Sequence, residues 1–178
     1  MPLYSRRSIT LQLALLFPTI GRMLYGYARA GAAPAMTGAA KAFLDSLWEE
    51  QREKATFKLE DDELSNWFYT PVPRKGLPLR EMSSGQRQLA MALLSSGLSQ
   101  NGFAKSTTIM SLEEVLLATQ GDVPPRRDPD GYFVSIFGEP SESGAWCFRV
   151  EGHHLSLHFA IVTNKGRPNK GKKPVRYT

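Results

Sequence analysis

The residues best suited to chemistry lie close together near the end of the chain. The chain has three histidines, and all of them, His153, His154 and His158, fall beside the carboxylate of Glu151. An imidazole exchanges a proton near neutral pH, and both imidazole and carboxylate are common metal ligands. This cluster therefore suits either proton transfer between Glu151 and His154 or the binding of a divalent metal by Glu151, His153 and His154.

The alternation of apolar side chains places this cluster on a predicted β-hairpin. Large apolar residues occupy even positions from Trp146 to Val150 and odd positions from Leu155 to Ile161, so two strands must be joined by a turn. We predict a type II′ turn at residues 152–153, with Gly152 as the structural turn residue. Opposite residues on the polar face are then Glu151 with His154, Arg149 with Ser156, and Cys147 with His158.

These pairs define the candidate site. We assign catalytic roles to Glu151, His154 and Ser156, and binding roles to Arg149, His153 and His158. On one strand, His154 and His158 are separated by roughly 13 Å, so they cannot bind one metal together, and a metal site needs a further ligand from elsewhere. Alternatively, the polar residues lie on the solvated face that antiparallel sheets commonly have. Nothing in the sequence favours a nucleophilic role for Cys147 over the role of a small, partly buried packing residue.

The elements that must position this hairpin are helices followed by strands. Apolar spacing predicts a helix over 37–54, and the capping boxes Ser83-x-x-Gln86 and Ser111-x-x-Glu114 predict two further helix starts, with a short helix at 102–110 between them. Period-two patterns predict strands at 132–137, 146–151 and 155–162. The predicted fold class is α+β, with the N-terminal helices on one face of an antiparallel three-stranded meander over 132–162.

Charge is concentrated at the two ends of the chain. The chain has 178 residues and a net charge of +5, but residues 1–30 and 163–178 contain basic residues and no acidic ones. The remaining residues are net acidic, so the basic isoelectric point does not indicate a nucleic-acid partner. A single cysteine excludes a disulfide scaffold.

Residues 1–30 resemble an export signal. The pair Arg6–Arg7 precedes an apolar stretch over 9–20, and Ala28-Arg29-Ala30 offers a cleavage site before Gly31. The stretch is too short for a stable membrane span, and its paired arginines suit the twin-arginine export machinery. The sequence thus predicts a periplasmic or extracellular protein with a linker at 31–36 and a globular domain at 37–162. A mitochondrial presequence or an amphipathic first helix are the alternatives.

Five ordered motifs resemble the DUF3500 family, a mostly bacterial family whose activity is not established. The similarity covers about residues 40 to 162, and the motifs are Phe43–Ala55, Asn66–Trp67, Arg74–Leu79, Tyr132–Pro140 and Trp146–Leu157. The resemblance implies an exported protein. It marks as distinctive the positions Glu151, Gly152, His153, His154 and Ser156.

Family members usually continue beyond the third strand, whereas residues 163–178 resemble nothing in the family. Their composition predicts a disordered basic tail, so we expect an incomplete family domain. A tail that contacts an anionic surface or nucleic acid is the alternative. Two functions remain open: an exported metal-binding protein or hydrolytic or oxidative enzyme that uses the Glu-Gly-His-His hairpin, or a non-catalytic exported module whose Gly-His-His turn is structural.

Overall fold

A computed structural model describes residues 31–120 and 127–162. The predicted export signal at 1–30 and the predicted basic tail at 163–178 lie outside these residues. The described helices are α1 (Ala32–Asp45), α2 (Glu49–Ala55), α3 (Ser84–Ser96) and α4 (Gln100–Gln120). The described strands are β1 (Thr56–Phe57), β2 (Leu77–Pro78), β3 (Phe133–Phe137), β4 (Ala145–Gly152) and β5 (Leu155–Val162).

Helix α1 begins earlier than its apolar stripe predicts, so the predicted linker at 31–36 is wrong. Alanines favour a helix, and Pro34 falls in the first turn, where a backbone N–H needs no intrahelical acceptor. The predicted helix over 37–54 is also interrupted after Asp45. There the hydroxyl of Ser46 donates to the carbonyl of Phe43 over 2.7 Å, and the chain starts again as α2.

Helices α3 and α4 test the two predicted capping boxes differently. The first is confirmed, because the Gln86 N–H donates to Ser83 Oγ and the Ser83 N–H donates to Gln86 Oε1. The second does not begin a helix, because α4 runs without interruption from Gln100 to Gln120. The hydroxyl of Ser111 donates to the Thr108 carbonyl in the preceding turn, which removes it as a cap.

The α+β class and the meander β3–β4–β5 are confirmed, but the sheet is larger and mixed. Strand β4 pairs along one edge of β3, while β1 and β2 pair with the two halves of its other edge. The β1–β3 pairing is parallel and the β2–β3 pairing antiparallel. Two-residue strands carry no readable period, so the sequence pattern did not reveal them.

The predicted hairpin register is wrong by two residues, although the two faces are assigned correctly. Gly152 pairs with Leu155, so the turn residues are His153 and His154. His154 adopts the left-handed conformation, with φ of 58°. A shift of two residues preserves the faces but changes every partner. The observed pairs on the polar face are Glu151 with Ser156, Arg149 with His158, and Cys147 with Ala160.

The helices cover the apolar face of the sheet. Trp146, Phe148 and Ile161 are at most 3% exposed and share one core with Phe43 of α1 and Leu93 of α3. The predicted packing of helices on that face is therefore confirmed. Burial of each such side chain contributes about 1.5–3 kcal/mol, which makes this layer the main source of stability.

Part of the opposite face of the sheet is covered as well. Residues 58–76, between β1 and β2, form a segment that we call the covering segment, and its contacts run across the polar face. Arg149 and Glu151 are 0% and 1% exposed. The expectation of a solvated polar face is therefore wrong at Ser135, Arg149 and Glu151, because an irregular segment without a period in its sequence lies over them. On β5, His158 and Ala160 of the same face are exposed.

Candidate functional site

Arg149 is the centre of the polar layer between the sheet and the covering segment. Its Nη1 donates to the carbonyls of Glu63 and Asn66 over 2.8 and 2.9 Å, and its Nη2 lies 2.6 Å from Glu63 Oε1. The same Nη2 lies 2.9 Å from Glu151 Oε1 in an orientation that makes no hydrogen bond. A buried charge needs such partners, and Arg149 obtains them from the covering segment.

Glu151 lies beside Arg149 and belongs to the same polar layer, and its contacts are with that layer and not with a histidine. Its Oε2 accepts from the Phe68 N–H over 3.4 Å and lies 3.9 Å from Arg74 Nε. Burial raises the pKa of Glu151, although Arg149 and the Phe68 N–H act in the opposite direction. In this position Glu151 joins the hairpin to the covering segment.

Arg74 holds the covering segment in its bent course. Its guanidinium donates to the carbonyls of Val72, Phe68 and Thr70, and also to that of Gly152 over 3.2 Å. These bonds connect the segment to the end of β4. The positive φ of 102° at Gly76 ends the segment, and a Cβ there would lie 3.0 Å from the Val134 carbonyl oxygen.

The turn that carries the histidines is held by its backbone. The Tyr132 hydroxyl donates to the His153 carbonyl over 3.1 Å, and the His154 N–H donates to the Tyr69 carbonyl over 2.8 Å. Burial raises the pKa of Tyr132, which keeps its hydroxyl a donor. Gly152 is required for a reason other than a type II′ turn: a Cβ there would lie 2.6 Å from Tyr132 Cε1.

His153 forms a carboxylate–imidazole pair with a residue from another element. Its Nδ1 lies 2.7 Å from Glu113 Oε1 of α4, and Arg127 Nη1 lies 3.1 Å from the same nitrogen and 3.7 Å from that oxygen. A carboxylate oxygen can only accept and a guanidinium can only donate, so Nδ1 cannot hydrogen-bond to both. We assign the proton to Nδ1, which then donates to Glu113 over the shorter distance, and the Arg127 guanidinium is paired with the Glu113 carboxylate. The lone pair of this neutral tautomer then lies on Nε2, which is the basic nitrogen.

The pair lines a cavity of about 310 Å³, which we call the turn cavity. Glu113 is 2% exposed, and its Oε2 is buried without a hydrogen-bond partner. His154 stacks on His153 with ring centroids 3.8 Å apart. The cavity wall includes Arg74, Arg80, Glu113, Asp128, Phe133 and His153. Together these groups offer a base, a carboxylate that orients it, and cationic donors.

The remaining predicted site residues lie away from this pair. Ser156 is opposite Glu151, and its Oγ is buried without a hydrogen-bond partner. His158 is exposed as a residue, yet partial burial of its ring, followed by the charge of Arg149, lowers its pKa to about 4. Burial raises the pKa of Cys147, which agrees with a filler rather than a nucleophile.

The predicted grouping of Glu151 with the histidines is therefore divided into two places. Glu151 and Arg149 belong to the polar layer, whereas His153 and His154 belong to the turn cavity. Within 31–120 and 127–162, no group of three or more His, Cys, Asp or Glu side chains is arranged to hold a metal ion. This statement includes Glu151, His153 and His154, which the sequence analysis suggested as metal ligands.

Sequence reasoning missed the residues that act with the predicted ones. Glu63 and Glu113 are separated from the hairpin by long stretches of chain, so spacing could not connect them to it. A weak signal was available in the sequence: Glu113 is an acidic residue one helical turn from the apolar residues Ile109 and Leu116. Asn66 and Arg74, which the sequence analysis named only as parts of family-like motifs, both pack the covering segment.

No helix in the described part of the chain is both long and apolar enough to cross a membrane. The family model described as "Protein of unknown function (DUF3500)" matches residues 29–167. Neither the curated proteins nor the solved structures include a match to the chain. Since the matched region covers most of the sequence and both sites described above, the chain belongs to the DUF3500 family.

Proposed function

We propose that the turn cavity is a general acid–base site for hydrolytic chemistry on a small ligand. The observation that carries this proposal is the 2.7 Å contact between His153 Nδ1 and Glu113 Oε1 at the cavity wall. A carboxylate that accepts from one imidazole nitrogen fixes the tautomer and makes the other nitrogen a better base. His153 is then the general base, and Glu113 is the positioning residue.

The other predicted residues take supporting roles in this proposal. His154 stacks on the face of His153 and limits the orientation of its ring. Arg74 and Arg80 line the cavity and supply donors for an oxygen that gains negative charge. Glu151 and Arg149 support the hairpin through the polar layer and do not touch the ligand.

The experiment compares wild-type protein with His153→Gln and His158→Gln on chromogenic esters, phosphates and glycosides. Loss of a general base lowers the rate by about 10²–10⁴-fold, so we expect that loss for His153→Gln and none for His158→Gln. Nitrogen-15 NMR of wild-type protein should show that the neutral form of His153 carries its proton on Nδ1. Absence of hydrolysis of all three substrate classes, or a neutral His153 with its proton on Nε2, would contradict the proposal.

A non-catalytic module is the second candidate, and it is favoured by the backbone bonds to the turn. The carbonyls of Gly152 and His153 and the N–H of His154 each have a partner in another part of the chain. In such a module the turn anchors the covering segment, and His153→Gln lowers the melting temperature without changing any rate.

We further propose that the protein is exported, by a signal in residues 1–30. The paired Arg6–Arg7 and the Ala28-Arg29-Ala30 sequence support this proposal. Mature protein recovered from the periplasm or medium should begin at or near Gly31. Replacement of both arginines by lysine should block a twin-arginine route. Recovery of the abundant form with Met1 or Pro2 at its terminus would contradict export.

A further inference from the structure

The wall of the turn cavity includes an apolar part that the proposed acid–base chemistry does not use. It comes from the end of the covering segment and from β2 and β3, and its residues are Pro71, Val72, Pro73, Pro78 and Phe133. These side chains have no hydrogen-bonding atoms, so they favour a ligand with an apolar group. The cavity volume of about 310 Å³ is at the lower end of the range for ligand pockets, about 300–1,000 Å³, so the ligand must be small.

The accessible charges of the wall are already balanced. Among the described residues, the solvent-accessible charged side chains of the wall are those of Arg80, Glu81 and Asp128. Arg80 Nη2 lies 2.5 Å from Asp128 Oδ2, and Glu81 Oε2 lies 2.5 Å from Lys54 Nζ. A ligand that enters the cavity therefore meets two carboxylates and one guanidinium whose charge Asp128 balances.

The buried charged side chains of the wall are paired as well. Glu113 Oε1 contacts His153 and lies 3.7 Å from Arg127 Nη1, and Arg74 Nε lies 3.9 Å from Glu151 Oε2. An anionic group such as a phosphate or a carboxylate would thus enter beside carboxylates without a cation of its own. Burial of an unpaired charge is unfavourable, whereas an uncharged ligand needs no counter-charge.

Among uncharged substrates, an ester matches this wall better than a glycoside. A guanidinium has five N–H groups, so Arg80 can donate to an ester carbonyl while it stays paired with Asp128. Glycoside hydrolysis commonly uses two carboxyl groups, whereas the pair at this wall is a carboxylate and an imidazole, Glu113 and His153. A sugar would also leave hydroxyl groups unbonded against the proline-rich part of the wall.

We propose that the turn cavity selects small uncharged ligands and that its substrate is an uncharged ester whose apolar group packs on Pro71, Pro73 and Phe133. This inference rests on the proposed acid–base function. In the reaction, a water molecule gives a proton to His153 while its oxygen bonds to the carbonyl carbon. The bond from that carbon to the alcohol oxygen then breaks, and this oxygen takes the proton from the imidazole. The products are an alcohol and a carboxylic acid, which is bound less well than the ester once it ionises.

Two aryl acetates of the same shape test the charge preference in the full chain. The probes are 4-acetoxybenzamide, which is uncharged, and 4-acetoxybenzoate, which has a carboxylate in place of the amide. Each enzymatic rate is corrected for the spontaneous hydrolysis of the same probe. Because like charges placed together are strongly disfavoured, we expect kcat/KM for the amide probe to exceed that for the carboxylate probe by at least about tenfold.

A binding measurement separates ligand preference from catalysis. Benzamide and benzoate have the shapes of the two probes without the ester, so neither is hydrolysed. We expect benzamide to shift the backbone NMR signals of Val72 and Gly131, which line the cavity, at millimolar concentration. Benzoate should bind at least about tenfold more weakly for the same electrostatic reason.

Two matched variants test the charge balance of the wall. Asp128→Asn leaves the charge of Arg80 without its partner, so the ratio between the two ester probes should narrow by about threefold. Asp130→Asn is the control, because Asp130 pairs with Arg87 over 2.7 Å and lies outside the cavity wall. It should leave the ratio unchanged, and melting curves verify the fold of both variants.

The outcomes distinguish this inference from the acid–base function. If both ester probes are hydrolysed equally fast, the acid–base function stands and the inferred substrate class is wrong. If neither is hydrolysed but benzamide binds about tenfold more tightly than benzoate, the acid–base function fails and the preference for uncharged ligands is supported. The inference is also overturned if benzamide does not bind, or if Asp128→Asn and Asp130→Asn change the ratio equally.

Discussion

Two buried glutamates, Glu63 and Glu113, show how the number of partners separates a structural carboxylate from a reactive one. Both oxygens of Glu63 have partners: Oε1 contacts Arg149, and Oε2 contacts Asn66 and Lys75. Glu113 contacts His153 and Arg127 through Oε1, while its Oε2 has no partner. A fully bonded group is fixed in place, whereas a buried group with one oxygen left over beside an imidazole can take part in chemistry.

The most severe test of this difference is the removal of the cation in the fully bonded cluster. Arg149→Met leaves Glu63 and Glu151 buried without their main counter-charge, and loss of one partner in a buried pair costs about 3–5 kcal/mol. We expect that loss in the free energy of unfolding, measured by urea denaturation. A change below about 1 kcal/mol would mean that the covering segment opens readily and hydrates both carboxylates.

Replacement of Gly152 by alanine tests the turn region independently of charge. The added Cβ would lie 2.6 Å from Tyr132 Cε1, so the ring must move, and overpacking of this kind costs about 1–3 kcal/mol. The control is Gly38→Ala in α1, where a Cβ meets nothing within 4 Å and should stabilise the helix by about 0.5–1 kcal/mol. Thermal melts of both variants measure the two effects, and equal melting temperatures would refute the steric argument.

The two glutamates can be compared directly through matched amide variants. Glu63→Gln breaks bonds to charged partners on both oxygens, whereas Glu113→Gln breaks them on one. Since a hydrogen bond to a charged group contributes about 1.5–3 kcal/mol, we expect Glu63→Gln to be the more destabilising in urea. Glu113→Gln should instead lower the fraction of His153 protonated at Nδ1, as seen by NMR. The reverse ranking of stabilities would break the comparison.

We expect the smallest effect from the pH dependence that His158 contributes, because this residue is exposed and solvent screens the interactions of its ring. Its pKa of about 4 lies below the ordinary value of 6.5, so the unfolded chain takes up this proton more readily than the folded one. Stability from this group therefore falls as the pH drops from 6.5 to 4 and changes no further below 4. In urea melts across this pH range, the free energy of unfolding of His158→Gln should fall less steeply than that of the wild type. Identical slopes would show that the ring titrates normally.

The sequence was sufficient for the sheet faces and insufficient for what lies over them. Alternating apolar residues placed Trp146 and Phe148 on one face and Arg149 and Glu151 on the other, because that period is a local property of a strand. The predicted register was wrong because the turn was placed where glycine could adopt the unusual backbone angles. In the structure His154 adopts the left-handed conformation instead. Turn type depends on such local exceptions, and a shift of two residues leaves the apolar pattern unchanged.

Only part of the candidate site could be predicted from the sequence, for a related reason. The histidines lie together in the sequence, but Glu113 comes from a different helix, and its contact with His153 exists only after the tertiary structure has formed. The covering segment has no period, so neither its bend through Arg74 nor its pairing with Arg149 could be predicted. Long-range polar contacts of this kind follow from the fold and leave little trace in local sequence.

The position of the covering segment between β1 and β2 has a consequence for the order of folding. The meander β3–β4–β5 joins strands that are neighbours in the chain, whereas β1 pairs Thr56 with Ile136 across most of the domain. Because closing a long loop costs more entropy than a short one, we expect the meander to form early and β1 and β2 to join it late. Arg149 and Glu151 then stay hydrated through most of the folding reaction and lose their water in its final step.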